Sequence, residues 1–197
     1  MLPDTMPDAI RVVTQPTVEP VLLAEAKLAL KIDHDTEDSW LTTHLIAARQ
    51  ASESFTRRSY INQTREIIKA VHPSAPYIVL PYPPVQTITK VEQYTESTGV
   101  WTALTLGTGY AALILGDRAS VTIKGLTQLG GLFKVVYTAG YGAAGSAVPA
   151  LLRAAILRRL ATMYEHREDS TPLALGSPVI TATEEEAAYR VRGNSYL

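Results

Sequence analysis

A long stretch in the middle of the chain carries strand patterns and no helical pattern. Between Thr64 and Thr138, short segments rich in β-branched and aromatic residues are separated by prolines and glycines. Phe133, Val135 and Tyr137 follow the every-second-residue spacing of one strand face. Parallel strands need long crossover connections, which are usually helices, and the pattern indicates none here. The sequence therefore predicts an antiparallel β region with one wet face.

Apolar residues at helical spacing lie on both sides of this β region. One run covers residues 21–32, and a second stripe extends from Trp40 to Phe55. Pro149 suits the first position of a later helix. We expect that later helix to pack against Trp40, Leu45 and Phe55. Its apolar face consists of Leu152, Ala155, Ile156, Leu160 and Met163.

The order of these patterns predicts an α+β fold. Its simplest form is a helical bundle from both chain ends, with an inserted antiparallel β region and an extended C-terminal tail. The predicted parts are an N-terminal arm at 1–20, a main domain at 21–169 with helices at 21–58 and 148–168 and a β insertion at 62–140, and a tail at 170–197.

A glycine motif joins the last strand to the last helix. Gly140, Gly142 and Gly145 form G-x-G-x-x-G, the pattern of a dinucleotide-binding loop. That function requires a parallel sheet and an acidic residue ending a second strand, whereas Glu165 has the spacing but ends a predicted helix. Pro149 also places the helix start several residues beyond the loop. We interpret the glycines as a turn, with positive φ expected at Gly142, and keep a small nucleotide-binding enzyme as an alternative.

An acidic turn precedes the second helix and resembles the start of a calcium loop. Asp33, Asp35 and Glu37 alternate like its first three ligands, but Asp38 stands where glycine is required and His44 where glutamate is required. A helix N-terminus explains the acids better, because its dipole favours negative charge. No spacing typical of a zinc site or a catalytic triad occurs. We therefore predict no catalytic, cofactor-binding or metal-binding residues, and no enzyme.

Composition limits the remaining function classes. With 18 basic and 19 acidic residues the formal net charge is −1, so a broadly basic surface for nucleic acid is excluded. The chain has no cysteine, which removes disulfides and thiolate chemistry and fits a reducing compartment. No secretory signal or membrane-spanning run is indicated. Four arginines make the last helix locally basic and leave a DNA-packaging accessory as a further alternative: Arg153, Arg158, Arg159 and Arg167.

Three stretches in a fixed order resemble one known family. They are the acidic turn Asp33–Asp38, the proline-rich run Leu80–Val85, and Thr138–Gly142 ahead of the helix at Pro149. Together they resemble the head–tail connector (adaptor) proteins of long-tailed bacteriophages and of phage-derived gene transfer agents. The resemblance covers roughly Val21 to Glu168.

This resemblance implies a structural protein without catalytic activity. Members of the family form a ring, typically dodecameric, between the portal protein and a tail stopper or tail-terminator protein. DNA passes through the ring without sequence-specific binding, and no membrane is involved. The implied location is the head–tail interface of a virion or phage-like particle. Before assembly, the implied location is the bacterial cytoplasm.

The tail from Ser170 to Leu197 carries more apolar side chains than a solubilising segment needs. Its prolines and glycines prevent it from forming a core of its own. We expect one short helix after Thr183, with Glu186 completing a capping box. The whole tail, this helix included, is expected to extend away from the domain and dock on the portal or a neighbouring subunit. The predicted docking residues are Leu173, Leu175, Val179, Tyr189, Arg190, Tyr196 and Leu197.

Overall fold

The chain folds as two compact units of mixed α and β structure. The computed structural model describes residues 8–126, 130–166 and 184–191. Of these, residues 8–16 and 62–140 form a β unit, and residues 17–61, 141–166 and 184–191 form a helical unit.

Two antiparallel sheets make up the β unit. The larger has five strands in the order β1-β2-β8-β4-β5, and the smaller has three in the order β3-β7-β6. Every described strand pair is antiparallel, so the predicted antiparallel region is confirmed. The strands are β1 (Ala9–Thr14), β2 (Gln63–Val71), β3 (Tyr77–Val79), β4 (Val85–Thr95), β5 (Val100–Ala103), β6 (Tyr110–Leu115), β7 (Arg118–Ile123) and β8 (Gly131–Ala139).

One apolar core joins the two sheets of the β unit. β8 lies between β2 and β4 and places Phe133, Val135 and Tyr137 in that core, all fully buried. β7 contributes Val121 from the smaller sheet. The Tyr137 hydroxyl donates a hydrogen bond to the Pro81 carbonyl at 2.6 Å, so its polar end is satisfied. The every-second-residue spacing of apolar residues in β8 therefore reflects one buried strand face, as predicted.

The segment predicted as an N-terminal arm contains a strand. β1 pairs with β2 along the edge of the larger sheet, with Arg11 opposite Glu66. Their side chains form an ion pair at 2.9 Å. The strand has only six residues, which are too few for a strong period-two signal in the sequence. It is held in place by hydrogen bonds to β2, a partner distant in sequence.

The helical unit contains four described helices. They are α1 (Leu23–Leu30), α2 (Asp38–Thr56), α3 (Ala150–Glu165) and α4 (Glu184–Tyr189), with a 3-10 turn at Gly145–Ala147. The two helices predicted within 21–58 are thus both present. α1 ends at Lys31, whose φ of 57° is left-handed, and the acidic turn lies between α1 and α2.

Helices α1, α2 and α3 surround a second apolar core. Leu45 of α2 is buried with Leu152, Ile156 and Leu160 of α3, as predicted. Trp40 and Met163 are partly buried against the same cluster. Phe55 is not a member of this cluster, so its predicted packing there is wrong.

Candidate functional site

The glycine loop lacks the geometry of a nucleotide site. β8 is antiparallel to both of its neighbours, and α3 begins only at Ala150. A Cβ on Gly145 would lie 2.7 Å from the Pro20 carbonyl oxygen, so the protein's own backbone fills the space beside it. The space beside Gly145 is therefore occupied by the backbone at Glu19 and Pro20, and not by a site for a pyrophosphate.

The predicted reason for Gly142 is also wrong. Positive φ occurs at Gly140, at 147°, and not at Gly142. A Cβ on Gly142 would instead come within 2.6 Å of the Ala147 Cβ. Close approach, and not backbone conformation, is the reason for glycine at this position.

The acidic turn is tied to α1 by a lysine. Lys27 Nζ donates to Asp35 at 2.5 Å and to Asp38 at 2.8 Å. The hydrogen bonds that Lys27 donates to these carboxylates raise the pKa of Lys27, and the same lysine lowers the pKa of Asp35. Glu37 accepts a hydrogen bond from the Tyr164 hydroxyl at 2.7 Å. Within the described residues, no group of three or more His, Cys, Asp or Glu is placed to hold a metal ion.

The C-terminal helix is anchored by a buried ion pair. Arg159 of α3 donates from Nε to Glu186 Oε1 at 2.8 Å and from Nη2 to Oε2 at 2.5 Å. The side chains are 3% and 0% exposed, respectively. The planar guanidinium matches the carboxylate at two points, which fixes orientation as well as distance. α4 is therefore held against α3 in one register.

Three further contacts hold the end of this helix on α2. Arg58 Nε donates to the Tyr189 carbonyl at 2.6 Å, and the Val191 amide donates to the Thr56 carbonyl at 2.9 Å. The Arg190 guanidinium lies 4.8 Å from the centre of the Phe55 ring, within cation–π range. We call residues 184–191, with these contacts, the C-terminal latch.

The latch corrects the prediction of a tail extended along its whole length. Residues 184–191 pack on helices of their own chain. The short helix exists, and Glu186 binds Arg159. The predicted capping box also involves Thr183, which lies outside the described residues. Among the predicted docking residues, Tyr189 is half-buried and Arg190 is exposed. The others lie outside the described residues: Leu173, Leu175, Val179, Tyr196 and Leu197.

The sequence interpretation missed the role of Arg159. It counted this residue only among the four arginines that make the last helix locally basic. Its position, three residues after Ile156 and seven after Leu152, puts it on the apolar face of α3. That spacing was the available signal for a buried cation, which in turn requires a buried carboxylate. Arg153 is also paired, with Glu25 at 2.6 Å.

A second buried network fixes the segment ahead of α1. Arg49 is 2% exposed and contacts Glu19 at 2.7 Å and Glu53 at 3.0 Å. Glu53 also accepts the Tyr60 amide at 2.7 Å. Burial raises the pKa of the Tyr60 phenol, so this hydroxyl stays neutral. The network ties the segment ahead of α1, and the residues that follow α2, to α2 itself.

The larger sheet of the β unit carries paired charges beside an aromatic residue. Glu92 lies 2.5 Å from Lys90 and 2.6 Å from Lys134, and Lys134 also lies 4.4 Å from the centre of the Trp101 ring. Burial alone would raise the pKa of Glu92, but its bonds to the two lysines hold that pKa below its ordinary value. Glu92 therefore offsets part of the positive charge of these two lysines.

The smaller sheet carries an exposed apolar groove. Its volume is about 490 Å³, and Tyr77, Val79, Leu113 and Leu115 supply its apolar lining. Leu113 and Leu115 are 55% and 64% exposed. Large aliphatic side chains grouped on a surface mark an interaction site. We call these four residues the apolar groove.

No described helix is both long and apolar enough to cross a membrane.

The chain is similar to solved structures of gene transfer agent (GTA) particles. It is 25% identical, with a TM-score of 0.71, to a chain in the neck of an empty GTA particle computed with C6 symmetry. It is also 25% identical, with a TM-score of 0.73, to a chain in the virion of a native GTA particle. Each match covers 93% of this chain and 96% of the other.

A third structure shares the fold. A chain in the neck of a native GTA particle computed with C12 symmetry is 24% identical, with a TM-score of 0.67 and the same two coverages. No protein-family model matches the chain, and no curated protein matches it.

Proposed function

We propose that this protein is a structural component of the neck of a phage-like particle, where it forms the adaptor ring between the portal and the tail stopper. The observation that carries the proposal is the similarity to a GTA neck chain, which extends over 93% of this chain and nearly all of the other. A match of that extent includes both the β unit and the helical unit. It agrees with the resemblance in the acidic turn, the proline-rich run and the last helix.

A ring of identical copies follows from the same proposal. The similar neck structures were computed with C6 and C12 symmetry, and both symmetries describe closed rings. We propose a dodecamer that encloses a passage for DNA. Basic groups such as Lys134 and Arg153 are engaged by carboxylates, and the net charge is −1. Weak attraction to phosphates would let DNA slide through the ring rather than bind to it.

The portal contact is proposed to use the C-terminal tail. Tyr189 and Arg190 are its described members, together with the predicted docking residues outside the described range. Tyrosine and arginine contribute strongly to interfaces because they combine apolar area with hydrogen-bond donors. Arg190 is exposed and is therefore accessible to a partner while the latch stays in place.

The test combines purified components with assembly of particles. The protein mixed with its portal should give a complex in which electron microscopy shows a second ring stacked coaxially on the portal. Particles made without the protein should contain filled heads that lack tails. Tailed particles assembled without it, or binding to tail tubes in preference to portals, would refute the adaptor role.

A further inference from the structure

The β unit has two long free edges that belong to different sheets. β1 is an outer strand of the larger sheet, and β6 is an outer strand of the smaller. Each has six residues, whereas the other outer strands, β3 and β5, have three and four. No described strand pairs with the second side of β1 or β6. On the outer side of β6, the Tyr110 amide donates to the Thr105 carbonyl and the Tyr110 carbonyl accepts from the Gly107 amide. Within the described residues, the outward amides and carbonyls of the rest of β6, and those of β1, remain available to another chain.

Both edges expose aliphatic side chains. On β1, Ile10 is 41% and Val13 is 50% exposed. On β6, three consecutive residues are exposed, with Ile114 at 39% between the two leucines of the apolar groove. The β6 sequence YAALIL has no charge and no proline, which are the usual protection against edge pairing. An exposed edge of this kind is a template for pairing with another chain.

We propose that β1 of one copy pairs with β6 of the next copy, so that sheets join from subunit to subunit around the ring. The proposal rests on the ring assembly proposed above. A head-to-tail ring needs two different, complementary surfaces on each copy. The free edge of β1 and the free edge of β6 beyond Tyr110 meet that requirement. Ile10 or Val13 of one copy would then enter the apolar groove of its neighbour.

Pairing of β6 with β6 of another copy fits the observations less well. Such a contact is two-fold and stops at a dimer. It would also leave the exposed aliphatic residues of β1 uncovered. The β1–β6 pairing covers both edges with one type of contact and propagates in one direction until the ring closes.

Cysteine crosslinking tests the pairing directly, because the natural chain has no cysteine. The variant Val13→Cys/Ile114→Cys, assembled into rings and treated with a short bismaleimide, should give a ladder of covalent oligomers. Rings of the single variants Val13→Cys or Ile114→Cys, treated in the same way, should give almost no covalently linked oligomers. The control pair Leu28→Cys/Ile114→Cys uses an α1 residue that is 81% exposed and should give no ladder. Efficient dimers from Ile114→Cys alone, or no ladder from intact rings of the double variant, would overturn the pairing.

An edge-charge variant supplies the second measurement. Leu113→Lys/Leu115→Lys should raise the protein concentration needed for half-assembly by about a hundredfold or more, because two leucines lose their cover. Leu28→Lys is the matched control and should assemble normally. Both variants should keep the thermal midpoint of the unassembled protein, since these leucines are exposed before assembly.

These outcomes separate the two proposals. If the unsubstituted protein forms no ring with or without portal, the proposed function fails. If it forms rings and Leu113→Lys/Leu115→Lys forms them equally well, the adaptor role stands and the β1–β6 pairing is wrong.

Discussion

Individual charged residues inside this protein are buried in complementary pairs. Arg159 and Glu186 are almost fully enclosed, and Arg49 is enclosed with Glu53. Removing ions from water costs several kcal/mol each, and only a partner of excellent geometry offsets that cost. The two parallel bonds between Arg159 and Glu186 provide such geometry. Their main effect is to make one position of α4 far more stable than its alternatives.

Loss of one partner should therefore be severe. Glu186→Ala would leave the Arg159 guanidinium buried without a counter-charge and should lower the free energy of unfolding by about 3–5 kcal/mol. Urea unfolding monitored by circular dichroism measures this. Asp8→Ala is the control, because its pair with Lys69 is 37–38% exposed and its loss should cost less than about 1 kcal/mol. Equal effects of the two substitutions would contradict the assigned burial.

A second residue-scale prediction concerns pH. Because Lys134 and Lys90 hold the pKa of Glu92 below its ordinary value of 4.5, the folded state binds this proton less readily than the unfolded state. The stabilisation is therefore fully present above pH 4.5 and is lost as pH falls through the lower folded pKa.

Glu92→Gln should remove that dependence. At neutral pH the variant should be less stable than the natural protein by about 1 kcal/mol, and the difference should shrink as the solution is acidified. Thermal melts across the acidic range provide the measurement. A difference that stays constant down to acid would show that packing, and not charge, is what the substitution removes.

At the scale of elements, the sequence predicted the helices and strands that are long enough to show several repeats of apolar spacing. α3 and β8 each present several apolar residues in register with their helical or strand repeat, and both occupy cores. β1 and α4 have only six residues each and are stabilised by partners distant in sequence. Those partnerships leave no local pattern. The interpretation of the tail failed for this reason, although the short helix itself was predicted.

The packing of α3 against α2 gives the element-scale prediction. Ile156 is fully buried in the helical core, so Ile156→Ala removes its apolar contacts and leaves a cavity. The expected loss is about 2–5 kcal/mol in the free energy of unfolding. Leu151→Ala on the same helix is the control, because Leu151 is 51% exposed and its truncation should change stability by less than about 0.5 kcal/mol. Comparable losses at both positions would mean that α3 has another buried face.

For the whole molecule, the C-terminal segment combines a folding role with the proposed docking role. If the whole tail extended away from the domain, as the sequence predicted, truncation after Asp169 would leave the thermal midpoint unchanged. The latch reverses that expectation, since truncation removes the counter-charge of Arg159 and the contacts to Arg58 and Thr56. The midpoint should fall on the order of 10 °C. An unchanged midpoint would mean that the latch contributes nothing to stability.

Because truncation weakens the fold, it cannot by itself test attachment to heads. Arg190→Ala can, because Arg190 is exposed and its contact with Phe55 contributes only about 0.5–1 kcal/mol. A loss of that size lowers the thermal midpoint by only a few degrees. The variant should nevertheless bind portal-bearing heads more weakly than the natural protein. Glu186→Ala is the complementary control: it weakens the latch but keeps the Arg190 side chain, whereas Arg190→Ala removes that side chain. If Arg190→Ala binds heads as tightly as the natural protein in a pull-down, the arginine is a latch residue and not a docking residue.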